Sequence, residues 1–100
     1  MPVLESYIVE QSKRIAKAKG YLHRKVVYQN RRGAPDDWFF GWDGELIIIE
    51  HKRPGEKPEP HQKREIDRLR ERGFNVHVVD NVEKARALFN RNYRRGDDVL

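Results

Sequence analysis

The run Leu46-Ile47-Ile48-Ile49 constrains this chain more than any other stretch of it. Four successive apolar residues give a strand no polar face, so the strand must lie inside a sheet that is covered on both sides. The run closes on Glu50-His51-Lys52, a charged end for a buried strand. Asp43-Gly44 immediately before it is a two-residue hairpin signal, which joins it to a preceding strand over Trp38, Phe39, Phe40 and Trp42.

The remaining segments supply what such a strand needs for cover. Leu4, Ile8, Ile15 and Leu22 recur near helical spacing, with Tyr7 and Ala18 beside the stripe and Gly20 as a stop, predicting a first helix over about residues 3–19. At about 100° per residue, Glu5 falls at the margin of that stripe and Glu10 well away from it. Val26, Val27 and Tyr28 read as a short strand, followed by a turn-rich break through Gly33 and Pro35. Pro54, Gly55, Pro58 and Pro60 form a loop; Pro60 then suits the first turn of a second helix, with Gln62, Ile66, Leu69 and Gly73 on one face. Asn75 to Val79 alternates as a fourth strand, and Asn81 is placed to cap a third helix through about Asn90. The order α-β-β-β-α-β-α predicts an α/β fold, a small mixed sheet flanked by helices.

Composition sets the size of what can be built. Charged residues make up 37% of the chain, against about 25% in an average domain. Leu, Ile, Val and Phe still sum to a quarter of the residues, enough for one small core but not two. The chain therefore reads as a single domain, residues 1–100, with its core at about 3–90 and a frayed tail over 91–100. No apolar run approaches a membrane span, and Glu5 and Glu10 interrupt any signal-peptide pattern. With no Cys there is neither a disulfide framework nor a thiolate metal site, which fits a cytoplasmic setting.

Charge is segregated along the chain. Residues 1–34 carry eight bases and two acids, residues 35–50 five acids and no base, and residues 51–72 eight bases and five acids. An acidic island inside a basic chain suggests a cation site within a surface that attracts polyanions. Asp36 stands at the start of the second strand, while Glu50 and Lys52 lie two apart at the end of the third and so share a face. The hairpin brings these ends together: counted outward from Asp43-Gly44, the region of Asp37 pairs with that of Glu50. Two carboxylates and the backbone carbonyl of His51 offer an oxygen-rich place for Mg²⁺, which takes few carboxylates and keeps several waters. A lysine beside it can orient water and offset charge on a phosphoryl group. Strand alternation turns Asp37 away from Asp36. Zinc is disfavoured, because His51 and His61 are separated by a proline-rich loop and no ligand motif fits. His23 and His77 read as ordinary strand-edge residues, and the aromatic strand as core, with one face suited to a dimer contact.

Pro35-Asp36 followed by Glu50-His51-Lys52, in this order of elements, resembles the PD-(D/E)XK nuclease superfamily with its restriction-endonuclease-like core. The closer resemblance is to the virus-type replication-repair nuclease (VRR-NUC) family. It rests on Glu5-Ser6, on Gly33-Ala34-Pro35-Asp36, on Ile49 to Gly55 and on Gln62, over about residues 5–89. The resemblance implies a Mg²⁺-dependent DNA endonuclease, with Mn²⁺ able to substitute and no small-molecule cofactor. Asp36 and Glu50 are then the metal ligands, Lys52 the catalytic lysine and Gln62 its supporting polar residue. Glu5 is the helix carboxylate, acting on the metal directly or through water. The stand-alone phage-type members imply a homodimer on branched, Holliday-junction-like DNA, encoded by a phage or prophage and working in the bacterial cytoplasm. Lys13, Arg14, Lys17, Arg24, Lys25, Arg31, Arg32 and Arg53 are the expected phosphate contacts; Lys63, Arg64, Arg68 and Arg94 read as solvated. A non-catalytic nucleic-acid-binding module, a subunit of a larger machine, and a nuclease of the same fold acting on linear duplex, flaps or RNA remain the alternatives.

Overall fold

The computed structural model describes residues 3–90; the expected frayed tail over 91–100 lies outside the described residues. Helix α1 (Glu5–Ala18) leads into strands β1 (Leu22–Lys25), β2 (Asp37–Phe40) and β3 (Leu46–His51). Helix α2 (Pro60–Glu71), strand β4 (Asn75–Val79) and helix α3 (Val82–Leu88) complete the described chain. The sheet order is β1-β2-β3-β4, with β1, β2 and β3 antiparallel in succession and β4 parallel to β3. The Leu46–Ile49 run thus occupies an interior strand, as its lack of a polar face requires.

Each face of the sheet has its own apolar layer. Ile47, Ile49, Phe39 and Val79 pack with Ile8 and Ala16 of α1 and with Ala85 and Phe89, in and after α3. Ile48 and Val76 pack on the other side with Ile66 of α2, flanked by Trp38, Leu69 and Val78. Among the described residues no helix is long and apolar enough to cross a membrane.

Three expectations are corrected. The first strand is Leu22–Lys25, not Val26 to Tyr28. Beyond Lys25 the chain leaves the ladder, Val27 is 81% exposed, and Tyr28 turns to donate its hydroxyl hydrogen bond to Glu65 of α2, 2.8 Å away. The inward stripe of α1 is Ile8, Ser12 and Ala16; Leu4 stands 62% exposed and Leu22 belongs to β1. A serine occupies the middle of that stripe because the sheet presents an imidazole to it (below).

The third correction concerns the β2–β3 turn. Trp42 is not in the strand: Trp42–Gly44 form a short 3₁₀ turn, and Gly41 N–H donates to the Glu45 carbonyl at 2.8 Å. The loop has three residues rather than two, with Asp43 and Gly44 both in the left-handed region. The extra residue moves the register by one, so Asp37 faces Ile49 and Asp36, one step further out, comes into line with Glu50.

The helix boundaries follow local chemistry. Gln62 Oε1 accepts from the Glu59 N–H at 2.8 Å at the start of α2, and Asn81 Oδ1 accepts from the Lys84 N–H at 2.8 Å at the start of α3. Phe39→Ala, which empties a fully buried site between α1 and α3, should cost about 3–5 kcal/mol in urea unfolding. Asn81→Ala should cost about 1 kcal/mol.

Candidate active site

The ends of β1, β2 and β3 that carry Lys25, Asp37 and His51 meet at one edge of the molecule, and their residues divide by face. Asp36, Glu50 and Lys52 fall on the α2 side. Asp37, His51 and His23 fall on the α1 side, as strand alternation and the register require.

On the α2 side, Glu50 is buried and its Oε2 lies 3.6 Å from the Lys52 ammonium. Burial pushes the Glu50 carboxyl up to about 7, the charge of Asp36 adds to this, Lys52 offsets part of it, and Glu5 raises it further. Glu5, in the first turn of α1, is thus within electrostatic reach of Glu50. Asp36 is half-buried and accepts a hydrogen bond from the Lys25 ammonium at 2.9 Å. That contact raises the lysine above its ordinary value. Lys25, expected on DNA phosphate, is therefore the cation paired with Asp36 here.

The loop that carries Asp36 is pinned to both sides. Pro35 is fully buried, and its carbonyl accepts from the Trp38 indole N–H at 2.6 Å. Arg32 and His61 are 3.2 Å apart, and a Cβ added at Gly33, whose φ is +99°, would stand 3.0 Å from the His61 carbonyl oxygen. The motif glycine is thus required for both backbone conformation and close approach to α2. Tyr28 is tied to Glu65; burial and that hydrogen bond push its phenol up to about 12.

On the α1 side lies a chain of buried polar groups. Asp37 Oδ1 accepts from His23 Nε2 at 2.8 Å, and Asp37 Oδ2 accepts from His51 Nδ1 at 2.8 Å. His51 Nε2 and Ser12 Oγ share a hydrogen bond of 2.9 Å. Burial alone would raise the Asp37 carboxyl, but the two imidazoles outweigh it and hold the group below its usual range. His23 sits on the edge strand as expected, yet its ring is engaged. The signal available in the sequence was a histidine alternating with Glu50 and Lys52, which must point into the core.

The other expected residues scatter around this edge. Gln62 uses its side-chain oxygen to cap α2. Arg31, Arg32 and Arg53 lie on the flanking loops, with Arg31 3.8 Å from Glu65 and Arg53 3.0 Å from Glu56. Arg24 donates to the His23 carbonyl at 2.7 Å. Lys13 lies 3.6 Å from Glu10, and Arg14 is exposed on α1. Lys17 is twelve residues beyond Glu5, about 18 Å along the helix axis, and borders Leu22 and Trp42 instead. A groove of about 450 Å³ between the 55–58 loop and α2 is lined by four cations, Lys57, Lys63, Arg70 and Lys84, against two acids, Glu56 and Asp80, and also by Val78, the ladder neighbour of Glu50. These cations were not singled out as phosphate contacts.

Among the described residues no three His, Cys, Asp or Glu side chains converge tightly enough to enclose a metal ion by themselves. What the register aligns instead is a pair of carboxylates, Asp36 and Glu50, across two strands. The charge of Asp36 adds to burial in raising Glu50, and a carboxylate pair of this kind would suit a cation that takes few carboxylates and keeps most of its shell as water.

No family model matches the chain. A solved "VRR_NUC domain" superposes on it with a TM-score of 0.82 at 37% identity, covering 89% of this chain and 97% of that one. The chain belongs to the VRR-NUC nuclease family. A phage protein, "Putative nuclease p44" of Acyrthosiphon pisum secondary endosymbiont phage 1, is 36% identical over 85 residues, spanning 85% of this chain and 87% of that protein. As a VRR-NUC nuclease, the chain is a phosphodiester hydrolase, and the α/β order read from the sequence is that of its fold.

The Glu50 shift has a stability consequence in this VRR-NUC domain. The folded state keeps the Glu50 proton to about pH 7, whereas the unfolded chain releases it near 4.5, so Glu50 makes metal-free stability fall as pH rises through that window. With chelator present, Glu50→Gln should therefore melt higher than wild type at about pH 8, by roughly 5–10 °C. The two should converge below about pH 4.5.

Proposed function

We propose that this VRR-NUC domain is a divalent-metal-dependent DNA endonuclease that hydrolyses the phosphodiester by direct attack of water. The observation that carries the reading is the alignment of Asp36 with Glu50 across β2 and β3, with Lys52 3.6 Å from Glu50 and the Glu50 carboxyl pushed up to about 7 by burial and by the charge of Asp36. Asp36 and Glu50 would hold Mg²⁺, or Mn²⁺ in its place, with the His51 backbone carbonyl as a further oxygen donor and Glu5 acting directly or through water. Bound there, the cation supplies Lewis acidity toward a phosphoryl oxygen and makes water acidic enough to attack near neutral pH.

The protein's own groups do the rest. Lys52, largely buried beside Glu50, donates hydrogen bonds that orient the attacking water and offset charge gathering on the phosphoryl oxygens. Lys25 holds Asp36 Oδ2, which leaves Oδ1 of the same carboxylate as the oxygen that would meet the cation. Gln62 keeps α2 capped against the motif loop, a positioning task. Arg31, Arg32 and Arg53, with Lys13, Arg14 and Arg24, face the phosphate backbone, and the basic groove beside Val78 extends that surface. Lys17 reaches the same DNA only if the duplex runs the length of α1.

The finer reading is a homodimer acting on branched, Holliday-junction-like DNA in the cytoplasm of a phage-carrying bacterium. Leu22, Phe40 and Trp42, exposed together at the β1 end of the sheet, support a subunit contact. A two-fold pair presents two sites to a four-way junction.

Labelled four-way junction, flap, linear duplex and RNA should be compared at one salt concentration with Mg²⁺ and with EDTA. Junction cleavage should lead, should stop with EDTA, and should fall by about 100-fold or more in Asp36→Asn and Lys52→Ala. Variants that cut like wild type would remove these residues from the chemistry. Equal cutting of linear duplex would remove the junction preference.

A further inference from the structure

We infer that the buried chain Ser12–His51–Asp37–His23 is a positioning device for the metal site, and that it sets the affinity for the cation by fixing the two ligand strands against each other. The inference rests on the assignment of Asp36 and Glu50 as ligands and names residues that act on them through the backbone.

The geometry makes the case. Asp37 directly follows Asp36, and His51 stands between Glu50 and Lys52, so each member of the site is one peptide unit from a member of the buried chain. The Asp37–His51 hydrogen bond of 2.8 Å crosses from β2 to β3 beneath the two carboxylates. His23 ties β1 to the same Asp37 at 2.8 Å, and Ser12 ties α1 to the far side of the imidazole at 2.9 Å. Four elements are therefore locked at the level of the site. Ser12, Asp37 and His51 are all buried.

An apolar cluster would fill this space with less demand on the sequence, because it would need no matched set of donors and acceptors. What it would not supply is direction: the Asp37–His51 hydrogen bond fixes the lateral spacing of β2 and β3, and the bonds to His23 and Ser12 hold its two ends, where apolar contacts permit sliding. Backbone bonds hold each strand end to its outer neighbour, Val26 N–H to the Asp36 carbonyl at 2.8 Å and Lys52 N–H to the Val79 carbonyl at 2.9 Å. The β2–β3 pairs end at Asp37 with Ile49, so at the level of Asp36 and Glu50 the Asp37–His51 bond is the side-chain tie between these two strands. The charge of Asp36 works against ionisation of Glu50, and the buried chain adds a tie from β2 to β3 that resists their separation when no cation is between them.

The test is calorimetric titration of the full-length protein with Mn²⁺, paired with cleavage kinetics as a function of Mn²⁺. Asp37→Asn keeps the shape but can accept from only one of the two histidines. It should weaken Mn²⁺ binding about tenfold and raise the half-saturating Mn²⁺ for cleavage by the same factor, with kcat at saturating Mn²⁺ close to wild type. His23→Leu should weaken binding in the same sense by a smaller factor. His23→Gln, whose amide N–H can reach Asp37 as the imidazole does, should restore it. Should Asp37→Asn fail to fold, the His23 pair decides.

Unchanged Mn²⁺ affinity in Asp37→Asn and His23→Leu, whatever the loss of melting temperature, would overturn the inference. So would a lower kcat at unchanged affinity, or equal weakening by His23→Leu and His23→Gln. Asp36→Asn, titrated alongside, separates the two claims. If it abolishes binding while Asp37→Asn does not weaken it, the ligands stand and the positioning role falls. If Asp36→Asn binds Mn²⁺ like wild type, the ligand assignment itself is wrong and the positioning role falls with it.

Discussion

The register between β2 and β3 is the constraint on which the rest of this structure depends. A three-residue turn at Trp42–Gly44 sets Asp37 opposite Ile49 and carries Asp36 into line with Glu50. In a ladder of period two, a slip of one residue would exchange the faces: Asp37 would join Glu50, and Asp36 would point at the α1 layer. The acidic island at 35–50 is thus sorted by geometry into two groups with opposite fates. Asp37 receives two hydrogen bonds from imidazoles and is satisfied inside the protein. Asp36 and Glu50 are set in line with one lysine apiece, and Glu50 is buried without enough positive charge to offset its burial.

That asymmetry distinguishes structural from functional polarity in a domain with little core to spare. Both carboxylates bear a burial penalty. For Asp37 the penalty is cancelled and its carboxyl is held low; for Glu50 it is not, and the carboxyl rises to about 7. A fold selected for stability alone would place an apolar residue at the end of β3. Keeping a buried, under-compensated glutamate there leaves a local deficit, which on the proposed function a divalent cation would relieve on binding. The basic loops and the groove beside Val78 surround this deficit without filling it.

Much of this was legible in the sequence because it depends on local signals. The double-faced Leu46–Ile49 run fixes the interior strand, Asp43-Gly44 the turn, Asn81 and Gly73 the helix ends, and the spacing of Glu50 and Lys52 their common face. What escaped depends on long-range or competing terms. Leu22–Lys25 is a polar, exposed edge strand, whereas Val26 and Val27 have the stronger strand propensity and lose because Tyr28 is drawn to Glu65. The third residue of the turn is invisible to a signal read from two. Ser12 and His51 are 39 positions apart, and nothing in either segment announces that they meet. Gln62 was read on the apolar face of its helix; its oxygen turns back to the preceding backbone, a local contact that its place three residues after Glu59 permits.

The central claim is that a divalent cation sits between Asp36 and Glu50, and anomalous scattering from a crystal soaked in Mn²⁺ tests it most directly. The account predicts an anomalous peak within ligand distance, about 2.0–2.6 Å, of a carboxylate oxygen of both residues, with water completing the shell. A well-occupied peak elsewhere, away from both carboxylates, would contradict it.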